Sequence, residues 1–382
     1  MIDPKDFAAA LRDAGIQFIT GVPDSLLKDI CAHLTASLPA EAHRIATNEG
    51  SAVGLAIGHY LATGNPAMVY MQNSGLGNIV NPVASLADPL IYGIPMLLMV
   101  GWRGEMLPDG KQINDEPQHV KQGRITLTQL ETLGIPYRIV DAQTTDIQGC
   151  IAAMRDQSVQ RNGPVAMVVR KQTFAPCALP ARNEAAEQPS REETIQTVVD
   201  ILPPDAAIVA TTGMASRELF EYRRALDSGH QRDFLTVGGM GHASQIAVGI
   251  AQARPDRRVV CLDGDGAILM HLGGLALAAR QGNLLHLVIN NGAHDSVGGQ
   301  PTLARELDLA AIALALGYTH VESVGSRAEL GDALRRALAS AGSAFVEVRC
   351  RTGARANLGR PDIPPSDNKR HFMNFLAGTM DE

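Results

Sequence analysis

The sequence predicts an α/β protein built as two doubly wound parallel-sheet domains, and three observations carry that expectation. Short β-rich runs alternate with helical patterns in both halves, which encodes a parallel sheet covered by helices on both faces. The 382 residues, 45% of them hydrophobic, are enough for two separate cores. The alternation lapses once: residues 175–192, "APCALPARNEAAEQPSRE", are rich in Pro, Ala and Glu without a hydrophobic period, as an interdomain tether would be.

The elements follow in order. A helical pattern over residues 4–14 precedes the strand "IQFITGV", a helix from Ser25, the strand "HRIAT" and a helix over residues 50–62. The strand "AMVYMQ", a helix after Gly77 and the strands "PMLLMVG" and "GPVAMVVRK" complete an expected first domain, residues 1–174. Beyond the tether, a helix to residue 201 leads to "AAIVATTG", a helix from Ser216, and a Gly-rich turn, "TVGGMGHAS", that opens another helix. The strand "RRVVC", a helix over residues 267–281 closed by Gly282, and the buried strand "LLHLVINN" come next. A helix over residues 307–316, the strand "AFVEVRC" and a polar tail with a short helix over residues 369–376 end a second domain, residues 193–382.

Composition narrows the function. The net charge is −7 and no run of five Lys or Arg occurs, so neither a nucleic-acid nor a membrane-surface partner is expected. Five scattered cysteines without CxxC spacing indicate neither a disulfide framework nor a zinc site. The opening residues read as an acidic amphipathic helix rather than a secretion signal, and no apolar stretch is long enough to span a bilayer. A cytoplasmic protein acting on a small molecule is the expectation.

The stretch "LDGDGAILM", residues 262–270, places two acids around a glycine directly after a buried strand. Either acid would serve as a helix cap, and "NN" at residues 290 and 291 would serve as a turn. Taken together they say more. A helix of about 22 Å and a strand of about 20 Å match in length, so one βαβ unit brings Asp265 and Asn291 side by side at the carboxyl edge of the sheet. There the amides of a helix opening at Ala267 face the same point. A carboxylate, an amide oxygen and a backbone carbonyl suit Mg²⁺ completed by water and phosphates, and the glycines let a diphosphate approach the backbone.

"GDGAILMHLGGLALAARQGNLLHLVINNGA" resembles the thiamine diphosphate signature, GDG followed by NN, with 23 residues between them. In that family the Asp of GDG, the second Asn and the carbonyl two residues on bind Mg²⁺, which implies Asp265, Asn291 and Ala293 here. The motif also implies Gly264, Gly266 and Ala267 at the cofactor's diphosphate. "IATNEGSAVGLAIGHYLATG" is similar to the family's pyrimidine-side motif, making Glu49 the proton donor to N1′ of the aminopyrimidine. "NSGLGNIVNPVASLAD" looks like the segment carrying SGPG and then an Asn, one residue longer here before Asn81. "VGGMGHAS" resembles the turn whose bulky residue props the cofactor into its bent shape, here Met240, and "TTGMAS" would offer Gly213 and Met214.

The resemblance implies decarboxylation of a 2-oxo acid, with an active site between subunits of a homo-oligomer. "GVPDSLLK", "YMQNSGLGNIVNP", "DEPQHVKQGR" and "NNGAHDSVGGQPT" are similar to members of the family whose substrates carry a phosphonate or sulfonate, and the short tether leaves no room for a middle domain. Asp24 and His119 match places where decarboxylases keep acid/base groups, and His294 stands near the metal ligands. An anionic substrate in an acidic chain needs local cations, for which Arg103, Lys121, Arg124, Arg351, Arg355 and Arg360 are the candidates. A nicotinamide-dependent oxidoreductase is the rival on fold, but neither "GLGNIVN" nor "GGMGHAS" supplies its GxGxxG pattern. A regulatory subunit without activity is the other alternative, against which Glu49 argues.

Overall fold

A computed structural model describes residues 1–180 and 185–379. The expected tether therefore lies partly outside the described residues. The chain forms two compact units, Met1–Ala181 with Ser296–Gln300, and Arg182–Asp295 with Pro301–Glu382. The second unit's first helix, Arg191–Ile201, starts at a capping box in which Ser190 and Glu193 satisfy each other's backbone amides.

In the first unit six parallel strands are β1 (Ile19–Gly21), β2 (His43–Ile45), β3 (Ala67–Gln72), β4 (Met96–Gly101), β5 (Tyr137–Val140) and β6 (Pro164–Val169), ordered β2-β1-β3-β4-β6-β5. The second unit repeats the plan with β7 (Ala207–Ala210), β8 (Asp233–Leu235), β9 (Val259–Gly264), β10 (Leu284–Asn290), β11 (His320–Val324) and β12 (Ala344–Arg349), ordered β11-β12-β10-β9-β7-β8 and again parallel.

Central strands bury both faces. In β3 and β4, Met68, Tyr70, Leu97 and Met99 pack on one side while Val69, Met71, Leu98 and Val100 pack on the other. This double burial is why these strands read as unbroken apolar runs. In the second unit Val260, Leu262, Leu285 and Leu287 face one layer of helices, and Val259, Cys261, Leu284 and Val288 the other. Among the described residues no helix is long and apolar enough to cross a membrane.

Several elements depart from expectation. The helix over residues 267–281 is in fact three pieces, Asp265–Met270, Leu272–Gly274 and Leu275–Ala278. His271 leaves helical geometry at φ −137°, and the Gln245 amide donates to the Gly274 carbonyl at 2.9 Å, holding the break open. The first piece opens at Asp265 instead of Ala267, and Gly282 caps no helix because the last piece ends at Ala278. The helix expected from Ser25 begins at Lys28, since residues 25–27 turn over Asp24 instead. β9 and β10 nonetheless lie side by side.

Candidate active site

In both sheets the candidate residues fall just past strand ends, at the carboxyl edge where open α/β sheets bind ligands. In the first unit Asp24 follows β1, Glu49 follows β2, Gly75 follows β3 and Arg103 follows β4. In the second, Gly213 follows β7, Met240 follows β8, Asp265 follows β9 and Asn291 follows β10.

Glu49 is the first residue of the helix Glu49–Thr63, whose N-cap is Asn48, and is only 5% exposed. Its Oε2 accepts a 2.7 Å hydrogen bond from the Asn78 side chain. Gly75 makes room for it: a Cβ there would lie 2.6 Å from Glu49 Oε1. Asn78 escaped the sequence reading, which looked to Asn81, and Asn81 is exposed with its amide oxygen on Ser85. The signal was available in the spacing, because Asn78 stands three residues after Gly75, a separation that puts both on one helix face.

Asp24 is fully buried, and its Oδ2 accepts from the Leu26 amide at 3.1 Å. Burial pushes its carboxyl up to about 6 against the opposing charge of Arg103. Arg103 donates to Ser25 Oγ at 2.7 Å and grips Asp115 with both edges of its fork, Nε to Oδ2 at 2.8 Å. Burial disfavours the Asp115 charge, but those bonds and the Glu116 amide hold the carboxyl below the usual range. His119, the other acid/base candidate, is 5% exposed on the helix Pro117–Thr132. Trp102 Nε1 donates to the Gly123 carbonyl at 2.9 Å, locking that helix onto the loop after β4. Asp24 and His119, both buried, thus flank the Arg103–Asp115 pair, whose side chains are each 16% exposed, and the four form one cluster of titratable and charged side chains.

In the second unit Asp265 is 3% exposed, with Oδ2 accepting from the Thr302 hydroxyl. Burial raises its carboxyl to about 6, opposed by the Thr302 bond and the Gly266 amide, both uncharged donors. Asn291 is 4% exposed; its Oδ1 accepts from the Ala293 amide at 3.0 Å and its Nδ2 donates to Asp295 at 2.7 Å. The two asparagines divide their labour. Asn290 turns away to donate to Glu347 at 2.7 Å and to accept from the Gly292 amide at 3.1 Å. Asp263, the other acid of the motif, is fully buried and binds the Gly264 amide at 3.0 Å and His286 at 3.3 Å, with Tyr318 completing the chain through His286 Nδ1 at 2.9 Å.

A divalent cation suits this chemistry, because a buried carboxylate supported only by neutral donors gains from one, and Asn291 and Ala293 lie on the adjoining strand tip. A cradle for the rest of a cofactor lies alongside. Gly264 has open space, the nearest atom to an added Cβ being Thr211 Cγ2 at 3.9 Å. At Gly266 a Cβ would meet His294 at 2.9 Å and Met240 Cε at 3.2 Å, so both side chains close over that glycine. Burial lowers the His294 imidazole to about 4. Met240 is half-buried between Gly239 and Gly241, both left-handed at φ +67° and +88°, so the loop and not a core sets its position. Gly213, at φ +95°, is the N-cap of the helix Met214–Ala225, and the buried Ala267 belongs to the helix after β9.

The cation candidates separate. Arg351 pairs with Glu193, and Arg355 with Glu192 and Glu221. Lys121 and Arg124 are exposed on the His119 helix, and Arg124 donates to the neutral Gln112 oxygen at 3.1 Å.

Residues 5–129 match the thiamine pyrophosphate enzyme N-terminal TPP binding domain, and residues 211–348 match the C-terminal TPP binding domain. The chain belongs to the thiamine pyrophosphate enzymes. Within that class it is similar over 99% of its length to the phosphonopyruvate decarboxylase of Streptomyces viridochromogenes, 37% identical and covering 96% of that protein. It is 36% identical to the phosphonopyruvate decarboxylase of Streptomyces hygroscopicus, over 99% of this chain and 94% of that one. A sulfopyruvate decarboxylase of Methanosarcina acetivorans is 28% identical over 96% of this chain and 95% of its own.

Proposed function

We propose that this protein decarboxylates 3-phosphonopyruvate to 2-phosphonoacetaldehyde and CO₂ with thiamine diphosphate and Mg²⁺, as a cytoplasmic step in phosphonate biosynthesis. The observation that carries the substrate is the full-length similarity to two phosphonopyruvate decarboxylases at 36% and 37% identity. Sulfopyruvate is the second reading, supported by the 28% identical relative of the same length. Purified protein incubated with Mg²⁺, thiamine diphosphate and each acid in turn decides between them: phosphorus NMR should show the phosphonoacetaldehyde signal, and faster CO₂ release from sulfopyruvate would reverse the assignment.

Thiamine diphosphate supplies, when bound, a thiazolium that accepts the electron pair left as CO₂ departs. The chain supplies the rest. Glu49 is the proton donor on the pyrimidine side, working through Oε1 because Asn78 occupies Oε2. Asp265, Asn291 Oδ1 and the Ala293 carbonyl would hold the Mg²⁺, with Gly264, Gly266 and Ala267 leaving the backbone open to the diphosphate. Gly213, Met214 and Met240 would contact the cofactor. Asp24 returns the proton at carbon after CO₂ leaves, in keeping with a carboxyl raised to about 6, with His119 as its partner. Lys121 and Arg124, free of the carboxylates that neutralise Arg351 and Arg355, are the phosphonate's counter-charges. The working form is a homo-oligomer whose active site lies between subunits.

A further inference from the structure

Asn291 can serve as an oxygen ligand only if its carboxamide stands the right way round. The two ends of an amide are nearly the same size, so shape does not choose between them. The choice falls to hydrogen-bond partners, and here one partner is decisive. Asp295 Oδ2 takes the Nδ2 hydrogen of Asn291 at 2.7 Å, and a carboxylate accepts without donating. The amide nitrogen is thereby committed and the oxygen is left on the other side, where the Ala293 amide meets it at 3.0 Å.

The same carboxylate oxygen is itself held. Arg191 Nη1 donates to it at 2.9 Å and the Gly353 amide at 2.9 Å, so three donors converge from three distant segments of the chain. Arg191 is fixed in turn by a two-pronged pair with Glu218 at 2.8 and 2.9 Å, and by the Gly353 carbonyl at 3.2 Å. Arg191, Glu218 and Asp295 have side chains 7%, 1% and 11% exposed, so these three are largely shielded from competing water, while Gly353 lies at the surface.

We propose that Asp295, clamped by Arg191, is the positioning residue that sets the orientation of the Asn291 carboxamide and so the affinity of the second unit for its metal. The inference rests on the reading of Asn291 as a Mg²⁺ ligand. Asp295 touches neither substrate nor cofactor in this scheme; it acts through Asn291. Support shells of this kind govern how well a ligand set is pre-formed, and losing one partner typically weakens a metal about 10- to 100-fold.

Calorimetric titration of MgCl₂ into the full-length protein at saturating thiamine diphosphate tests this without reference to turnover. Asp295→Ala should weaken Mg²⁺ about 10- to 100-fold, and its lost turnover should return as Mg²⁺ is raised. Asp295→Asn keeps the shape but offers three donors a neutral oxygen, and should weaken Mg²⁺ several-fold, in between. Circular dichroism and melting temperature check that each variant folds. A folded Asp295→Ala protein that titrates like wild type overturns the inference; should Asp295→Ala not fold, wild-type affinity in Asp295→Asn overturns it. A wild-type protein that takes up no Mg²⁺ fails the ligand assignment itself, a result distinct from equal affinities in wild type and variant.

Discussion

Burial dominates the behaviour of Asp24. An ordinary aspartate loses its proton near 3.9, whereas here the folded chain holds it to about 6. Between those two values the folded state binds more proton than the unfolded one, so stability falls as pH rises through the window and stays lowered above it. The difference is on the order of 3 kcal/mol. Asp24→Asn should flatten this part of the curve and be the more stable protein at pH 8 by up to about that amount, as read from urea midpoints. A wild-type curve already flat between pH 4 and 6 would contradict the assignment. Glu49 makes the complementary case. Glu49→Gln preserves the shape and an oxygen for Asn78, so it should lower kcat about 10²- to 10⁴-fold while calorimetry finds the cofactor bound within a few-fold of wild type. Unchanged turnover would remove Glu49 from the proton-donor role.

At the level of single elements, two glycines in "SGLGN" make opposite predictions. A methyl group at Gly75 would press on the Glu49 carboxylate, whereas at Gly77 it would meet nothing within 4 Å. Gly75→Ala should cost about 100-fold in kcat through displacement of Glu49. Gly77→Ala, inside the helix Leu76–Pro82, should raise unfolding stability by up to about 1 kcal/mol. Chemical denaturation and steady-state kinetics on the pair separate the two. The contrast also shows where sequence reading stops. Strands buried on both faces, such as β3, β4, β9 and β10, were legible as continuous apolar runs. β5, β8 and β11 were not, because each is short or exposes polar residues at a sheet edge, as in "YRIV" and "HVESV". The broken helix after Asp265 was read as continuous from its apolar residues, although the adjacent Gly273 and Gly274 weaken the helix where the break falls, and Gln245, distant in sequence, donates to the Gly274 carbonyl there. Likewise the spacing of GDG and NN pointed to Asp265 and Asn291, but the support from Thr302 and Arg191 is long-range and leaves no local pattern, and Asp295, only four residues after Asn291, belongs to no motif that would single it out.

For the whole molecule, the proposed oligomer has a numerical signature. If Glu49 of one copy serves Asp265 of another, Glu49→Gln and Asp265→Asn proteins, each inactive, regain activity when mixed and allowed to exchange subunits. Random pairing in a dimer gives about one quarter of wild-type sites. No recovery after verified exchange would instead place both residues in one copy's site. Durability is a further whole-molecule matter, and the Asn290 contact with the Gly292 amide bears on it. An asparagine followed by glycine ages when the glycine nitrogen attacks the side-chain carbonyl and closes a succinimide ring. At Asn291 that nitrogen is already engaged by the preceding asparagine, 3.1 Å away. The first of the twin residues thus holds the nitrogen that ring closure at the second requires, which should slow that ageing.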